Sequence, residues 1–268
     1  MKLNSNKQLV SIITPSFNQG IFLEEAIQSV LNQDYPNLEY IIIDGGSTDG
    51  SVDSIKRYEE RISFWVSEAD MGQTDAINKG FARANGDILA WLNSDDTYRP
   101  GAIQEAVDYL NDHPEVAMVY GHAFYIDEEG EDVAQYPTSR TDYRKLRRGN
   151  STIPQQAAFF RSSVWKMVGP LDPSFYYAMD YDLWIRISAV SPIDHYPRVW
   201  ANFRLQDSSK SMQEAHRCWP EIMRIHFRDG GTVFSLLYMK YLLRRILEPV
   251  MPLRMAFWKW KYALSKKL

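Results

Sequence analysis

An α/β fold is what this sequence predicts: a mostly parallel, Rossmann-like central sheet flanked by helices, with a C-terminal helical appendage. Three observations predict it. Four short apolar runs, rich in β-branched residues, do not alternate with polar ones: LVSIIT (9–14), EYIIID (39–44), ISFWVS (62–67) and DILAWL (87–92). Stretches of helical length separate them, over 21–33, 50–60, 73–84 and 100–112. All four runs end in polar residues, and three of those ends carry carboxylates. Strands buried on both faces read as unbroken apolar runs, and an open parallel sheet binds ligands beyond the carboxyl ends of its strands.

The elements follow in order. The helix over 50–60 starts well because the turn residues GGSTDG precede SVDSIKRYEE. VAMVYG (116–121) reads as a fifth strand, and AFYIDEEGEDVAQY as a hairpin around Glu129–Gly130. QQAAFF (155–160) and VWANFRL (199–205) read as strands. DYDLWIRISAV (180–190) has helical spacing, with Leu183, Ile187 and Val190 on one side. A further helix covers 233–247, and Pro249 and Pro252 separate it from a last one. In that last helix Leu253, Ala256, Phe257, Trp260 and Leu264 form one stripe.

At 268 residues, 45% of them apolar and 13% aromatic, the chain builds a sizeable core and disorder is excluded. One cysteine, Cys218, excludes an internal disulfide and a cysteine zinc cluster, and fits a reducing compartment. MKLNSNKQLV has no signal-peptide core, and no run of about 18 apolar residues predicts a membrane span. The net charge of −4 is unevenly spread: residues 233–268 hold eight Lys or Arg against one acid, a net +7, which leaves −11 elsewhere.

The chemistry is sought at the strand ends: TPSFNQG (14–20), DGGSTDG (44–50), SEADMGQTDAINKG (67–80) and NSDD (93–96). Asp44 sits where a strand meets a glycine-rich loop. It is either a turn or capping residue, or a carboxylate that accepts from a base N–H with Phe17 against the ring. The glycines do not spell G-x-G-x-x-G and no G-K-[ST] follows, so neither a dinucleotide fingerprint nor a Walker loop is present. Asp95 and Asp96 are adjacent anions. Either they cap a turn, or they hold a hard divalent cation, Mn²⁺ or Mg²⁺, which takes its other ligands from substrate phosphates.

TPSFNQG, IIIDGGSTDG, GQTDAINKG and WLNSDD, in this order and spacing, resemble the nucleotide-binding half of family 2 glycosyltransferases of the GT-A fold. The resemblance covers roughly residues 8–210. It implies a domain over 1–210, with a nucleotide-sugar half (8–121) and an acceptor half (122–210), and helices over 211–268. It implies nucleotide contacts at Thr14, Pro15, Phe17 and Asn18, at Asp44, Gly46 and Ser47, at Gln73, Asp75, Asn78 and Lys79, and at Asn93, Ser94 and Asp95, with Asp96 on the metal. Lys79 stands near the place of a basic residue found in many members. In AMDYDLW the resemblance points to Asp180 as the base of an inverting transfer, with Asp182 as second choice; a helix N-cap is the rival reading of Asp180.

Gln155 and Gln156 are candidates for sugar or acceptor contacts, or for a solvated strand edge. Arg204, followed by QDSSKS, resembles the loop that closes over the diphosphate in relatives, and an arginine suits phosphate oxygens. Trp184 floors the acceptor site or belongs to the core. His122 and His195 read as structural, and Glu24 and Glu25 as first-turn helix acids.

The implied activity moves a sugar from a nucleotide-sugar donor, a UDP-sugar by expectation, to a glycan or lipid-linked glycan acceptor, as in bacterial polysaccharide biosynthesis. The basic, aromatic tail over 233–268 packs on the domain, oligomerises, or lies on an anionic membrane surface. The third reading explains the charge asymmetry and places the chain in the cytoplasm, peripheral on the inner face of the membrane. Nucleic acid is excluded as a partner because the body is acidic. Two rivals stay open: a sugar-phosphate nucleotidyltransferase, which wants a Gly- and Arg/Lys-rich first loop that TPSFNQG lacks, and a non-catalytic nucleotide-sugar-binding protein, which keeps Asp44 and Asp96 without needing Asp180.

Overall fold

The computed structural model describes residues 8–149, 152–206 and 217–247. The stripe at 253–264 and most of QDSSKS, from residue 207 on, lie outside them. The first half runs β1 (Val10–Ser16), α1 (Gly20–Leu31), β2 (Leu38–Asp44), α2 (Ser51–Arg57), β3 (Phe64–Ser67), α3 (Gln73–Arg83), β4 (Ile88–Trp91), β5 (Thr97–Tyr98) and α4 (Ala102–Asp112). The second half runs β6 (Met118–Ile126), β7 (Asp132–Gln135), α5 (Tyr143–Leu146), β8 (Ala158–Arg161), α6 (Ser162–Val168), α7 (Met179–Val190), β9 (Ile193–Arg204), α8 (Cys218–Arg228) and α9 (Leu236–Leu247).

Nine strands form one sheet in the order β3-β2-β1-β4-β8-β6-β9-β5, with β7 paired to β6. β1 to β4 are mutually parallel, as the apolar runs predict. All seven residues of β1 are buried, because helices cover both faces of the sheet. On one face α1 and α4 pack Leu23, Ile27, Ile103 and Val107 onto Ile12, Ile42 and Ala90. On the other, α3 and α7 pack Ile77, Phe81, Trp184 and Ile187 onto Ile13, Leu89 and Trp91. At Gly80 of α3 an added Cβ would fall 2.5 Å from Ile13, so glycine is what lets this helix approach β1 so closely.

The second half departs from expectation in direction and length. β8 runs antiparallel to both β4 and β6, so the sheet is mixed. The strand expected at 155–160 begins only at Ala158, after a 3-10 turn over Gln155–Ala157. The strand expected at 116–121 runs through to Ile126 and into the hairpin with β7. β9 starts six residues before the expected Val199, along a half-exposed polar segment that includes Pro197. β5, α5 and α6 were not foreseen, and α8 falls within the stretch of helices expected over 211–268. α1 begins at Gly20, which puts Glu24 and Glu25 beyond its first turn, and both acids are in ion pairs. Among the described residues no helix is long and apolar enough to cross a membrane.

Candidate active site

A cleft of about 850 Å³ opens over the carboxyl ends of β1, β2, β3 and β4 and extends to the N-terminus of α7. Pro15, Phe17, Gln73, Asn93, Ser94, Asp95, Asp96, Gln155, Gln156 and Asp180 all line it. Residues up to 191 positions apart in the chain, Pro15 and Gln206, therefore meet at one surface.

The loops after β1 and β2 are knotted together from behind. Asp44 is fully buried, and its carboxylate accepts from Ser47 Oγ and Ser67 Oγ at 2.6 Å, Ser47 N at 2.9 Å and Gly46 N at 3.2 Å. Asn18, in the left-handed region at φ 50°, donates its N–H to Ser47 Oγ (2.8 Å) and accepts from Thr48 N (2.9 Å). Thr14 Oγ1 accepts from Tyr40 at 3.0 Å inside the core. Thr14, Asn18, Asp44, Gly46 and Ser47 thus frame the cleft without lining it. The wall beside Asp44 is made by Gly45 and Asp70, a carboxylate that sequence reasoning passed over. Asp70 accepts from Gly72 N at 2.7 Å, and Gly72 takes a φ of 101° there. A carboxylate two residues before a turn glycine, at the end of the third apolar run, was the signal available for it.

The acid pair lies between β4 and β5. Asp96 is 1% exposed and accepts from Arg204 N (3.1 Å) and Asn93 Nδ2 (3.2 Å). Asp95 accepts from Gln206 Nε2 at 2.6 Å. Burial pushes both carboxyls above the ordinary carboxylate range, and the charge of Asp95 pushes Asp96 further. Among the described residues no three His, Cys, Asp or Glu gather as ligands, so the acid pair stands by itself. Two crowded carboxyls, both raised by burial and Asp96 also by the charge of Asp95, fit a hard divalent cation that completes its shell from a substrate.

Gln73 Nε2 donates to Asn93 Oδ1 (2.7 Å), Asn93 Nδ2 to Gln155 Oε1 (3.2 Å), and Gln155 Nε2 to the Trp91 carbonyl (2.7 Å). This amide chain forms the floor between α3 and the acid pair. Gln156 differs: it is 2% exposed, lines the cleft, and its buried Nε2 has no partner.

Several predicted contacts lie away from the cleft. The Arg204 guanidinium is buried in protein, donating to the carbonyls of Asp95 (3.0 Å), Asp127 (3.0 Å) and Glu128 (2.9 Å) and to the Glu25 carboxylate. It pins β9 to the acid loop and to α1, with four of its five N–H donors used and the group buried away from the cleft lining, which takes it off the diphosphate. Asn78 clasps the backbone of Leu171 through both amide atoms (2.9 and 3.0 Å). Lys79 pairs with Asp75 (3.1 Å) and Glu68 (3.6 Å). Asp182 is buried between Arg186 (2.8 Å) and Arg228, which removes it as a base. Trp184 is buried and stacks on Trp91 at 5.5 Å, so it belongs to the core.

Asp180 faces the cleft from the first turn of α7. The N-cap position belongs to Ala178, which removes the capping reading. Asp180 accepts from Tyr181 N at 2.7 Å, and burial raises its carboxyl to about 6. Tyr176, Tyr177 and Met179 complete this side and were not foreseen. Their backbone is held from outside: Glu221 of α8 accepts from the N–H groups of Tyr176 (2.9 Å), Tyr177 (2.8 Å) and Ala178 (2.8 Å).

A parallel-sheet cleft with an acidic pair at the β4 end and a raised carboxyl opposite defines a glycosyltransferase of the GT-A fold. The chain belongs to glycosyl transferase family 2, whose model matches residues 11–168. It is 36% identical over 184 residues to an uncharacterized glycosyltransferase of Mycobacterium tuberculosis, covering 68% of this chain and 69% of that protein. It is 30% identical over 216 residues to one of Rickettsia typhi, covering 78% of this chain and 67% of that protein. Two solved structures share the fold. One is Staphylococcus aureus TarS 1–349 in complex with UDP-GlcNAc, at TM-score 0.67 and 15% identity over 81% of this chain and 65% of that one. The other is the mannosyltransferase PcManGT from Pyrobaculum calidifontis in complex with GDP-Man and Mn²⁺, at TM-score 0.65 and 20% identity over 90% of this chain and 71% of that one.

Proposed function

We propose that this glycosyltransferase moves a sugar from a nucleoside diphosphate donor, a UDP-sugar, to a hydroxyl of a glycan or lipid-linked glycan, with inversion. The observation that carries the reading is Asp180, a carboxyl raised to about 6 in the same cleft as Asp95 and Asp96. At neutral pH it is ionised yet basic enough to take a proton. The acceptor oxygen bonds to the anomeric carbon as its proton passes to Asp180. The bond from that carbon to the diphosphate oxygen breaks, and the diphosphate leaves with the electron pair. Asp96, with Asp95 beside it, suits Mn²⁺ or Mg²⁺, which supplies charge stabilisation to a leaving diphosphate. The Mn²⁺ in PcManGT and the nucleotide sugars in both neighbours support this assignment.

Pro15, Phe17, Gly45 and Asp70 form the nucleotide end of the cleft, framed by Asp44. Gln73, Asn93 and Gln155 form the floor, and Gln156 meets a sugar hydroxyl. The acceptor enters past Tyr176 and Tyr177. An exposed apolar side of α9, with the basic tail, supports contact with an anionic membrane surface where a lipid-linked acceptor is presented. The test is Asp180→Asn, assayed for sugar transfer and for UDP binding. Transfer is expected to fall about 10²- to 10⁴-fold while UDP still binds. Transfer at the parental rate would remove Asp180 from its role.

A further inference from the structure

The geometry points to Glu221 as a positioning residue for the transfer reaction: its carboxylate, from a helix beyond the family-matched segment, clamps the backbone that carries the acceptor side of the cleft. The inference rests on Asp180 being the base.

Three consecutive N–H groups, of Tyr176, Tyr177 and Ala178, precede α7 and have no partner within that helix. Glu221 takes all three, one on Oε1 and two on Oε2. Charge-assisted bonds of this kind are short and directional, so the loop is held in one conformation. The same face of α8 supplies two further anchors at helical spacing. Arg224 donates to Ser174 Oγ (2.6 Å) and its carbonyl (3.2 Å), and Arg228 pairs with Asp182. Of the three, only Glu221 touches the residues that line the cleft.

The placement of Asp180 gives the clamp its consequence. Asp180 lies two residues past Ala178 and already accepts from Tyr181 N. A helix N-terminus with free N–H groups draws the nearest carboxylate into a cap. With Glu221 occupying those donors, Asp180 stays turned to the cleft. Among the described residues, the titratable groups that couple to Asp180 are Tyr136, beside the end of β7, and Cys218 on α8, whose pKa values burial raises, leaving both neutral. Glu221 is the group whose removal opens those backbone donors beside Asp180.

The experiment compares Glu221→Gln, Glu221→Asp and Arg224→Ala in the full chain. UDP release from UDP-N-acetylglucosamine and GDP release from GDP-mannose, UDP affinity, melting temperature and the pH profile of kcat/KM are measured for each. Glu221→Gln puts an amide NH₂ in place of one of the two accepting oxygens, so at least one of the three donors loses its acceptor. It is expected to lose about 10- to 100-fold in kcat with UDP affinity unchanged. Its acid limb should move below the parental one, because Asp180 is then drawn into the freed N–H groups, which favour its charged form. Glu221→Asp keeps the charge on a shorter stem and should recover part of the rate. It also carries the test if Glu221→Gln does not fold. Arg224→Ala should leave the acid limb in place. A parental kcat and limb in Glu221→Gln, a parental kcat in Glu221→Asp, or equal loss in Glu221→Gln and Arg224→Ala would each overturn the clamp. Loss of UDP binding by the parental chain would instead count against the function proposed above.

Discussion

Arg204 and Glu25 form an ion pair in which the guanidinium is wholly buried while the carboxylate stays half exposed. The arginine also lies 4.8 Å over the Phe22 ring and closes three backbone carbonyls. Arg204→Met keeps the stem but strands four acceptors, at a cost of about 3–5 kcal/mol. Arg204→Lys should recover little, since one ammonium cannot reproduce the fork. Urea denaturation checks both. Because the Arg204 N–H also serves Asp96, metal-assisted nucleotide binding should weaken in the folded fraction.

Asp180 links activity to pH with a definite sign. Its carboxyl is raised from 3.8 to about 6 in the folded chain. As a base it must be ionised, so kcat/KM should climb with pH through about 6 and level off above it. Stability runs the other way. The raised value stabilises the fold fully below the unfolded value near 3.8, and that contribution is lost as pH rises through about 6. Asp180→Asn removes the cost of ionising a buried carboxyl. At neutral pH it should therefore be more stable than the parent by about 1–3 kcal/mol while inactive. Melting curves at pH 4 and pH 7.5 check this: the gain should vanish at the lower pH.

The acid pair predicts a metal dependence that is readable without turnover. With Asp95 and Asp96 both raised by burial, and Asp96 also by the charge of Asp95, a divalent cation relieves a cost the fold otherwise carries. Mn²⁺ and UDP together should raise the melting temperature more than either alone, by mass action. Asp96→Asn should abolish the Mn²⁺-dependent part and slightly stabilise the free chain. An unchanged joint shift in Asp96→Asn, measured against excess chelator, would exclude Asp96 as a ligand.

The outer face of α9 predicts membrane contact. Leu236, Met239, Leu243 and Ile246 are all exposed and fall on one side of the helix, while Leu237 is buried against the domain. An apolar stripe beside Lys240, in a segment carrying +7 over 233–268, matches an anionic interface. The full chain should float with vesicles containing phosphatidylserine and not with neutral ones. Leu243→Glu with Ile246→Glu should abolish flotation and leave UDP binding intact. Concentration-dependent dimerisation lost in the same variant, without flotation, would assign the face to a second copy instead.

What was legible in the sequence was what local pattern encodes. β1 to β4 announce themselves because burial on both faces removes polar alternation, and their ends locate Pro15, Phe17, Asn93 and Asp96 without reference to anything distant. β9 was half hidden because its first residues are polar and partly exposed, with Pro197 among them. The roles of Arg204, Asp182 and Glu221 were not legible at all. Their partners stand 179, 46 and 43 to 45 positions away, and an isolated charge in a sequence does not say whether it meets a ligand or another side chain. Asp180 was found by resemblance, and only the fold shows that Ala178 takes the cap position and leaves Asp180 to the cleft.

Gln156 offers a test in which stability and function should part. Its buried Nε2 lacks a partner, and an unsatisfied buried amide costs about 1–3 kcal/mol. Leucine has a similar shape and needs no partner, so Gln156→Leu should melt at or above the parental temperature. A fold that keeps such an amide at the wall of a cleft gains something from a ligand. If that ligand is a sugar hydroxyl, the variant should bind UDP as before but lose discrimination between donors that differ at one hydroxyl, UDP-glucose and UDP-galactose among them. A site built to bond a hydroxyl rejects a partner lacking it far more strongly than an apolar wall does, because its own polar group would be left unpaired. Competition of each nucleotide sugar against UDP measures that ratio directly. An unchanged ratio in a stabilised Gln156→Leu chain would make the amide a packing residue and move sugar recognition to the Gln73, Asn93 and Gln155 floor.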